Sequence, residues 1–402
     1  MNWPQVCISK ALETATVFVD GDWVESKDQD PDGDVRLIQL ADVGDGFYID
    51  KSDRFLTAQS AARLKCTFLE PGDVLLARMP DPLGRACIFP GDRRRAVTVV
   101  DVCVIRVDPS ATDARWLMHC INAPLTRNQI AGYATGTTRS RISRGNLGKV
   151  EIPLPPLREQ RRIAAILDQA DALRAKRREA LAQLDSLTQS IFIEMFGESR
   201  ANPKRWPTRG IDAACELIVD CVNRTATLAE GVTPYKMIRT TNVKSGKVNL
   251  DSVRYVDLET FTTWNRRATP RRGDVLLTRE APVGEAGMLT SDDQVFLGQR
   301  LMLYRPAAEK ITSEYLLASF MSPFLQEQFE MHGSGSTVKH LPLPACRAFQ
   351  LRMPPLSLQQ TFATRIQAIE SLKATHRAAL AESDALFASL QHRAFAGQLS
   401  QP

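Results

Sequence analysis

The sequence lacks the features that mark several specialised classes of protein. It has no apolar run near the ~20 residues that a membrane span needs, and residues 1–10 show no basic start followed by an apolar block, so we expect no signal peptide. The 8 cysteines are scattered without a C-x-x-C pair, which indicates reduced cytosolic thiols and no disulfide or zinc framework. With 44% hydrophobic and 24% charged residues, the composition excludes wholesale disorder and a collagen-like fibre.

Motifs for common chemistries are also missing. The sequence contains no G-x-x-x-x-G-K-[ST] phosphate loop, no G-x-G-x-x-G after a strand, no H-E-x-x-H and no G-x-S-x-G elbow. It also lacks the Asn- or Asp-Pro-Pro-aromatic tetrapeptide with which amino-methyltransferases hold a target base. The 5 histidines are isolated from one another. We therefore assign no residue to catalysis or to a metal.

The charge balance is only mildly basic, with 51 Lys+Arg against 46 Asp+Glu and a net charge of +5. The positive residues are 38 Arg and 13 Lys. Because the arginine fork suits phosphates and guanine edges, this excess fits nucleic-acid binding. A GC-rich genome favours arginine codons everywhere and would produce the same excess. Composition therefore leaves the partner open.

The chain is an internal duplication. Its 402 residues allow two to four domains, and four segments recur in order at offsets of 199 to 201 residues. The pairs are residues 37–43 with 237–243, 71–78 with 272–279, 136–138 with 335–337, and 155–157 with 354–356. We interpret the protein as two copies of a unit about half its length.

The first part of each copy predicts a globular α/β (α+β) domain. Residues 73–77 and 274–278 predict buried strands that follow a Gly-Asp turn. Residues 96–107, rich in Val and Ile, predict a further strand region. Residues 114–122 and 313–328 have helical spacing.

The second part of each copy predicts a long helix. Residues 157–196 contain no Gly or Pro, and apolar positions recur at alternating steps of three and four, as in a coiled coil. The predicted seam of the first helix is Ile163, Leu167, Ala170, Leu173, Leu184, Leu187 and Ile191, with Ala180 and Arg177 between. The seam of the second is Phe362, Ile366, Ile369, Leu372, Leu386 and Leu390, with His376, Ala379 and Ser383 between. Two equal seams in one chain favour antiparallel pairing over two helices that each pack on their own domain.

These segments resemble a known family. Residues 155–164 (PPLREQRRIA), the helix end at 190–197, the Gly-Asp-Val-Leu-Leu stretches followed by Arg at 72–78 and 273–279, and residues 393–399 are similar to specificity subunits of type I restriction-modification systems. Residues 20–23 through 44–46 resemble the opening of a target-recognition domain of that family. In the second helix Ser-Leu-Gln-Gln at 357–360 replaces Arg-Glu-Gln-Arg.

The resemblance implies a division into four parts. Residues 1–156 and 198–354 would be target-recognition domains, each for one half of a split DNA site, and residues 157–197 and 355–402 would be the spacer helices of an antiparallel coiled coil. The partners it implies are double-stranded DNA, two modification (methyltransferase) subunits and restriction (translocase and endonuclease) subunits. S-adenosylmethionine, ATP and Mg would be bound by those partners and not by this cytoplasmic, non-catalytic chain.

The helix length predicts an unread gap between the half-sites. From residue 157 to residue 196 an α-helix extends about 58 Å at ~1.5 Å per residue. That distance exceeds one turn of DNA, which repeats every ~34–36 Å. We therefore expect two short half-sites separated by several unread base pairs.

The candidates for DNA contact follow the repeated motifs, since base discrimination requires Arg, Lys, Asn or Gln on exposed loops. They are Arg78, Arg85, Thr137, Arg139, Arg141, Arg239, Arg279, Ser336, Thr337 and Lys339. A salt bridge to a neighbouring acid is the structural alternative for Arg78. Residues 93–95, three consecutive arginines, either bind phosphate or form a solvated face.

Two other functions remain open at this point. The chain could serve another multisubunit restriction enzyme in which one partner both methylates and cleaves. It could also be a coiled-coil scaffold of two ligand-binding domains without a DNA role, although that leaves the Gly-Asp-Val-Leu-Leu resemblance unexplained.

Overall fold

The computed structural model describes residues 3–136, 139–333 and 339–399. The chain divides into two compact units, the first Met1–Arg178 with Ala378–Pro402 and the second Glu179–Arg377. Each unit contains one mixed α/β domain, the first half of one long helix and the second half of the other. The predicted fold class is confirmed. In the described part of the chain, no helix is both long and apolar enough to span a membrane.

The elements up to the end of the first long helix alternate short strands with short helices. In chain order they are β1 (Gln5–Cys7), α1 (Ile8–Ala11), β2 (Val17–Asp20), a 3-10 helix (Ser26–Asp28), β3 (Val35–Ile38), a 3-10 helix (Leu40–Asp42), β4 (Phe55–Leu56), α2 (Ala58–Leu64), β5 (Val74–Ala77), β6 (Ala86–Ile88), β7 (Arg95–Thr98), β8 (Val102–Arg106), α3 (Ala114–Asn122), α4 (Pro124–Gly132), α5 (Arg144–Leu147), β9 (Glu151–Pro153) and α6 (Leu157–Phe196).

The rest of the chain repeats this order. Its elements are β10 (Thr208–Gly210), α7 (Ile211–Ala214), β11 (Cys215–Asp220), β12 (Tyr235–Ile238), a 3-10 helix (Thr240–Asn242), β13 (Val243–Lys244), β14 (Gly246–Val248), β15 (Arg254–Val256), α8 (Leu258–Trp264), β16 (Val275–Arg279), β17 (Val283–Met288), β18 (Val295–Leu297), β19 (Leu301–Pro306), α9 (Ser313–Phe320), α10 (Pro323–His332), α11 (Leu343–Ala348), β20 (Gln350–Arg352) and α12 (Leu356–Phe395).

The sheets of the two domains correspond, except that the larger sheet of the second domain has two more strands, β14 and β13. In the first domain, an antiparallel sheet has the order β2-β8-β5-β6, a second sheet has the order β4-β3-β7, and β1 pairs with β9. In the second domain, the orders are β11-β19-β16-β17-β14-β13 and β15-β12-β18, and β10 pairs with β20. The central strands β5 and β16 are the two that the repeated motif predicts, and both are buried.

The Gly-Asp pair before each central strand has a structural role. Gly72 and Gly273 have φ of +96° and +89°, a conformation that strains residues with a side chain. Asp73, 1% exposed, binds the guanidinium of Arg106 on β8 with both oxygens at 2.8 Å. The equivalent pair in the second domain is Asp274 with Arg305 on β19, also at 2.8 Å. The motif therefore starts a strand and joins it to its neighbour.

Two predicted segments consist of two elements each. The strand region 96–107 is β7 followed by β8, and the helical region 313–328 is α9 followed by α10. Pro323 is the first residue of α10, a position where the missing amide proton costs nothing. Helix α3, by contrast, has the bounds that the sequence predicts.

Candidate nucleic-acid interface

Arg78 and Arg279 hold a loop in place. Arg78 is 5% exposed, its Nε donates to the carbonyl of Ile142 at 3.0 Å, and the amide of Ile142 donates to the carbonyl of Arg78 at 3.1 Å. Arg279 makes the same pair of bonds with Leu341, both at 2.9 Å. Each arginine thus joins the end of a central strand to the segment that follows the Gly-Thr-Thr or Gly-Ser-Thr motif of its domain.

Arg78 has further partners inside its domain. Its Nη1 lies 2.8 Å from Asp20 and donates to the carbonyl of Val100 at 3.0 Å. Salt-bridge pairing, the structural alternative for this residue, is therefore present. Direct DNA contact by Arg78 or Arg279 stays a prediction.

Arg85 is also directed into its domain. It is 8% exposed and donates to the carbonyls of Val43, Leu40 and Pro82 at 2.5, 2.8 and 3.0 Å. Burial lowers the pKa of its guanidinium. These bonds tie the turn after β5 to the 3-10 helix Leu40–Asp42.

The exposed candidates, Arg139 and Lys339, lie shortly before the segments that Arg78 and Arg279 hold. In the first unit, the backbones of Thr135 and Arg141 pair at 2.9 and 2.8 Å, so Arg139 lies in a closed loop and is exposed. Gly136 has a φ of +105°, and a Cβ there would lie 2.6 Å from the carbonyl oxygen of Arg139. Arg141 is half-buried, 3.5 Å from Asp101.

The second unit has a comparable site. Lys339 is exposed beside His340, which forms a backbone bridge with Glu280 next to Arg279. Arg239 is half-buried in its own domain, and its Nη2 donates to the carbonyl of Ser252 at 3.5 Å. The candidates Thr137, Ser336 and Thr337 lie outside the described residues.

The two long helices pair antiparallel. In the first unit, Ile163 and Leu167 near the start of α6 share a core with Ala394 and Phe395 at the end of α12. In the second unit, Phe196 at the end of α6 packs on Phe362 near the start of α12, with ring centroids 5.3 Å apart. The predicted pairing is confirmed.

The seam follows a different phase over the middle of each helix. Four predicted seam leucines, Leu173, Leu187, Leu372 and Leu386, are 45%, 41%, 47% and 54% exposed. The residues that directly follow them are less exposed: Arg174 and Thr188 in α6, and Lys373 and Phe387 in α12. The other predicted seam residues, such as Ala170, Leu184, Ile191, Ile366, Ile369 and Leu390, are buried or half-buried.

The cause of this difference is the pairing of two cations with acids. Arg174 lies over the Phe387 ring at 4.3 Å and bonds Asp384 and Asp171 at 2.6 and 2.7 Å. Lys373, 4% exposed, meets Asp185 at 2.9 Å and Glu370 at 2.8 Å. Burial alone would lower the pKa of Lys373, but the bonds to both acids raise it. Because the apolar stems pack while the charges are paired, both cations fill seam positions.

Metal binding finds no support in the described residues, where no group of three or more His, Cys, Asp and Glu side chains could hold an ion. In each unit an exposed basic residue, Arg139 or Lys339, instead precedes a segment that is fixed to a central strand, on a domain that packs against a helix pair.

Comparison with known proteins identifies this arrangement. Residues 20–183 match the family model of the type I restriction modification DNA specificity domain. The type I restriction enzyme EcoBI specificity subunit of Escherichia coli is 22% identical over 327 residues, which are 74% of this chain and 68% of that protein. The chain is therefore similar to specificity subunits of type I restriction-modification systems.

Further relatives align with most of the chain. The putative MjaX specificity subunit of Methanocaldococcus jannaschii is 20% identical over 312 residues, which are 75% of this chain and 72% of that protein. A solved type I restriction-modification structure superposes with a TM-score of 0.57 at 19% identity, covering 99% of this chain and 98% of that one. The S subunit from M. genitalium superposes with a TM-score of 0.56 at 14% identity, covering 100% of this chain and 97% of that one. These two structures share its fold.

Proposed function

We propose that this specificity subunit reads a bipartite DNA site, one half with each domain, for a type I restriction-modification complex. The observation that carries the proposal is the repeated bond pair of Arg78 with Ile142 and of Arg279 with Leu341. These bonds fix the segments that follow exposed Arg139 in the first domain and exposed Lys339 in the second. In this proposal the recognition domains are residues 1–156 and 198–354.

The chemistry of these loops suits DNA. Exposed Arg139 and Lys339 are free to extend toward a duplex, where arginine binds guanine O6 and N7 and lysine attracts phosphate. Arg141 and Arg239 are held partly by their own domains, and we assign them to positioning contacts with the backbone of DNA. The two loops differ in sequence, so we expect two different half-sites and an asymmetric full site.

The long helices would set the gap between the half-sites. Each of them passes from one unit into the other, at residues 178–179 in α6 and 377–378 in α12. A rod of 40 residues extends about 60 Å at ~1.5 Å per residue, which is longer than one turn of DNA. The gap in the site would therefore be constant in length and unread in sequence.

The exposed leucines would bind the modification subunits. Leu173 and Leu187 on α6 and Leu372 and Leu386 on α12 are more exposed than the paired seam needs, and Leu187 and Leu372 line one groove of the second unit. Exposed apolar stripes mark partner surfaces. Two modification subunits would carry S-adenosylmethionine, restriction subunits would carry ATP and Mg, and this chain would bind none of these, working in the cytoplasm as the recognition component.

The test is a genome-wide map of methylated bases by long-read sequencing, with and without the gene. We expect one split motif with a constant gap to disappear with the gene, and its specificity at one position to relax in Arg139→Ala. Purified complexes should bind this motif with steep salt dependence. An unchanged methylation map together with salt-independent, sequence-indifferent binding would contradict the proposal and favour a scaffold role.

A further inference from the structure

The two helix starts share a buried glutamine. Residues 157–162 are Leu-Arg-Glu-Gln-Arg-Arg, and residues 356–361 are Leu-Ser-Leu-Gln-Gln-Thr. Across these six aligned positions only the first leucine and the glutamine are identical. Gln160 is 1% exposed and Gln359 is fully buried. A long amide side chain is seldom buried so completely unless its polar atoms are satisfied.

Gln160 joins the first helix to its domain. Its Oε1 accepts from the backbone amide of Asp113 at 2.9 Å, and its Nε2 donates to the carbonyl of Pro155 at 3.0 Å. Asp113 is the N-cap residue of α3, a helix in the core of the domain. Pro155 belongs to the segment that enters α6. One planar amide therefore fixes the direction of the long helix against α3.

Gln359 makes the same connection in the second unit. Its Oε1 accepts from the amide of Thr312 at 3.1 Å, and its Nε2 donates to the carbonyls of Pro354 at 2.9 Å and Lys310 at 3.3 Å. Thr312 is the N-cap residue of α9, the counterpart of α3. The two domains are thus joined to their helices by one repeated device.

The neighbouring domain–helix contacts are not repeated. In the first unit Asp168 of α6 bonds Arg115 at 2.7 Å and His119 at 2.8 Å, both on α3. In the second unit Gln367 of α12 donates to Glu314 of α9 at 2.8 Å. One contact is charged and the other joins an amide to a carboxylate, whereas the glutamine bonds to the N-cap amide and to the proline carbonyl recur in both units.

We propose that Gln160 and Gln359 are positioning residues that restrict the length of unread DNA the protein accepts between its half-sites. This rests on the proposed function, because it concerns where two DNA-reading domains are held. Neither side chain is accessible to DNA. A small rotation at the start of a helix displaces a distant loop along the duplex, so a looser joint changes the tolerated gap and leaves the recognised bases unchanged.

The test compares hydrogen-bonding and apolar side chains of similar length. The variants are Gln160→Met and Gln359→Met, with Gln169→Met and Gln360→Met as matched controls at exposed positions of the same helices. The full chain, assembled with its modification subunits, is offered duplexes that carry both mapped half-sites with the gap changed one base pair at a time. The measurement is the ratio of affinities for the natural gap and for gaps one base pair longer or shorter.

We expect this ratio to fall by about tenfold in each buried-glutamine variant, with the recognised bases unchanged, and to stay constant in the controls. If a methionine variant fails to fold, Gln160→Glu and Gln359→Glu, which keep the length and the acceptor, replace it and should lower the ratio. An unchanged ratio in folded variants would overturn the inference while the wild-type site stands. If the wild-type complex selects no split site, the proposed function itself fails.

Discussion

Arg174 of α6 donates from its Nε to Oδ1 of Asp384 of α12 at 2.6 Å. The pair has a counterpart in the other unit, where Lys373 of α12 meets Asp185 of α6 at 2.9 Å. Residues 174 and 373 are 199 positions apart, as are 185 and 384. Each half of the helix pair is therefore joined by one cation and one acid, and these contacts select one register of the seam.

Reversing the charge of one acid should weaken the helix pair. In Asp384→Lys, the new ammonium would face Arg174 and Arg178, so we expect the free energy of unfolding to fall by about 1 kcal/mol, a modest value because Asp384 is half-exposed. Urea unfolding at low and high salt measures it, and the loss should shrink with salt. Exposed Glu382→Lys is the control. A loss as large in the control would show that register pairing is not the cause.

Removing Arg78 should affect one half-site through the loop it holds. In Arg78→Gln the bond to the Ile142 carbonyl and the charge facing Asp20 are lost, so we expect binding to weaken by about 1–3 kcal/mol with an unchanged salt slope. Arg279→Gln should do the same for the other half-site. Affinity titrated against salt is the measurement. A slope reduced by about 1 would instead make Arg78 a phosphate contact.

Asp42 should contribute stability that depends on pH. It is fully buried; burial alone would raise the pKa of its carboxyl, but the Ser52 hydroxyl and the amides of Gln39, Ser52 and Lys51 outweigh burial and lower it. Because the folded pKa is depressed, the stabilisation is complete above the ordinary value and is lost as pH falls through the folded pKa.

We therefore expect Asp42→Asn to lower the free energy of unfolding by about 1–3 kcal/mol at neutral pH, and this difference to narrow below about pH 4. Urea titrations across that range measure it, with exposed Asp32→Asn as the control. A difference that widens as pH falls would contradict the assignment of the charged form to the folded state.

The thiols should differ sharply in reactivity. The Ser9 hydroxyl lowers the pKa of Cys7, whereas burial raises the pKa of Cys87, Cys103 and Cys120 to about 12. At about pH 8, iodoacetamide should modify Cys7 first, because the thiolate is the nucleophile. Peptide mass spectrometry over time measures this, and Ser9→Ala should slow it. Equal labelling of Cys103 in the folded protein would refute the expectation.

Local patterns in the sequence predicted the elements well. Short runs of neighbouring residues are enough to predict the strands after Gly72 and Gly273 and the helix Ala114–Asn122. The long helices could be predicted because their segments lack Gly and Pro. Their antiparallel pairing could be predicted because the duplication gives two equal seams. These features depend on neighbours within a few residues or on a repeat that is visible in the printed sequence.

The roles of long polar side chains could not be predicted in the same way. The seam prediction favoured Leu173 over Arg174, because the sequence does not show that Asp384 neutralises the cation. The bonds of Arg78 to the carbonyls of Ile142 and Val100 could not be predicted, because they join residues 64 and 22 positions apart in the sequence. Gln160 carried a detectable signal, since it is the polar residue that both helix starts retain, but its partner Asp113 is 47 positions away.

The charge pattern of the paired seam also has a two-fold symmetry. Helix α6 contains both a cation, Arg174, and an acid, Asp185, and α12 contains their counterparts, Lys373 and Asp384. An antiparallel pair made of two copies of α6 would therefore place each Arg174 beside an Asp185 and satisfy both charges. Such a contact is isologous, the kind found in two-fold symmetric dimers. The helix pair has the form of an isologous homodimer contact, contained here within a single polypeptide.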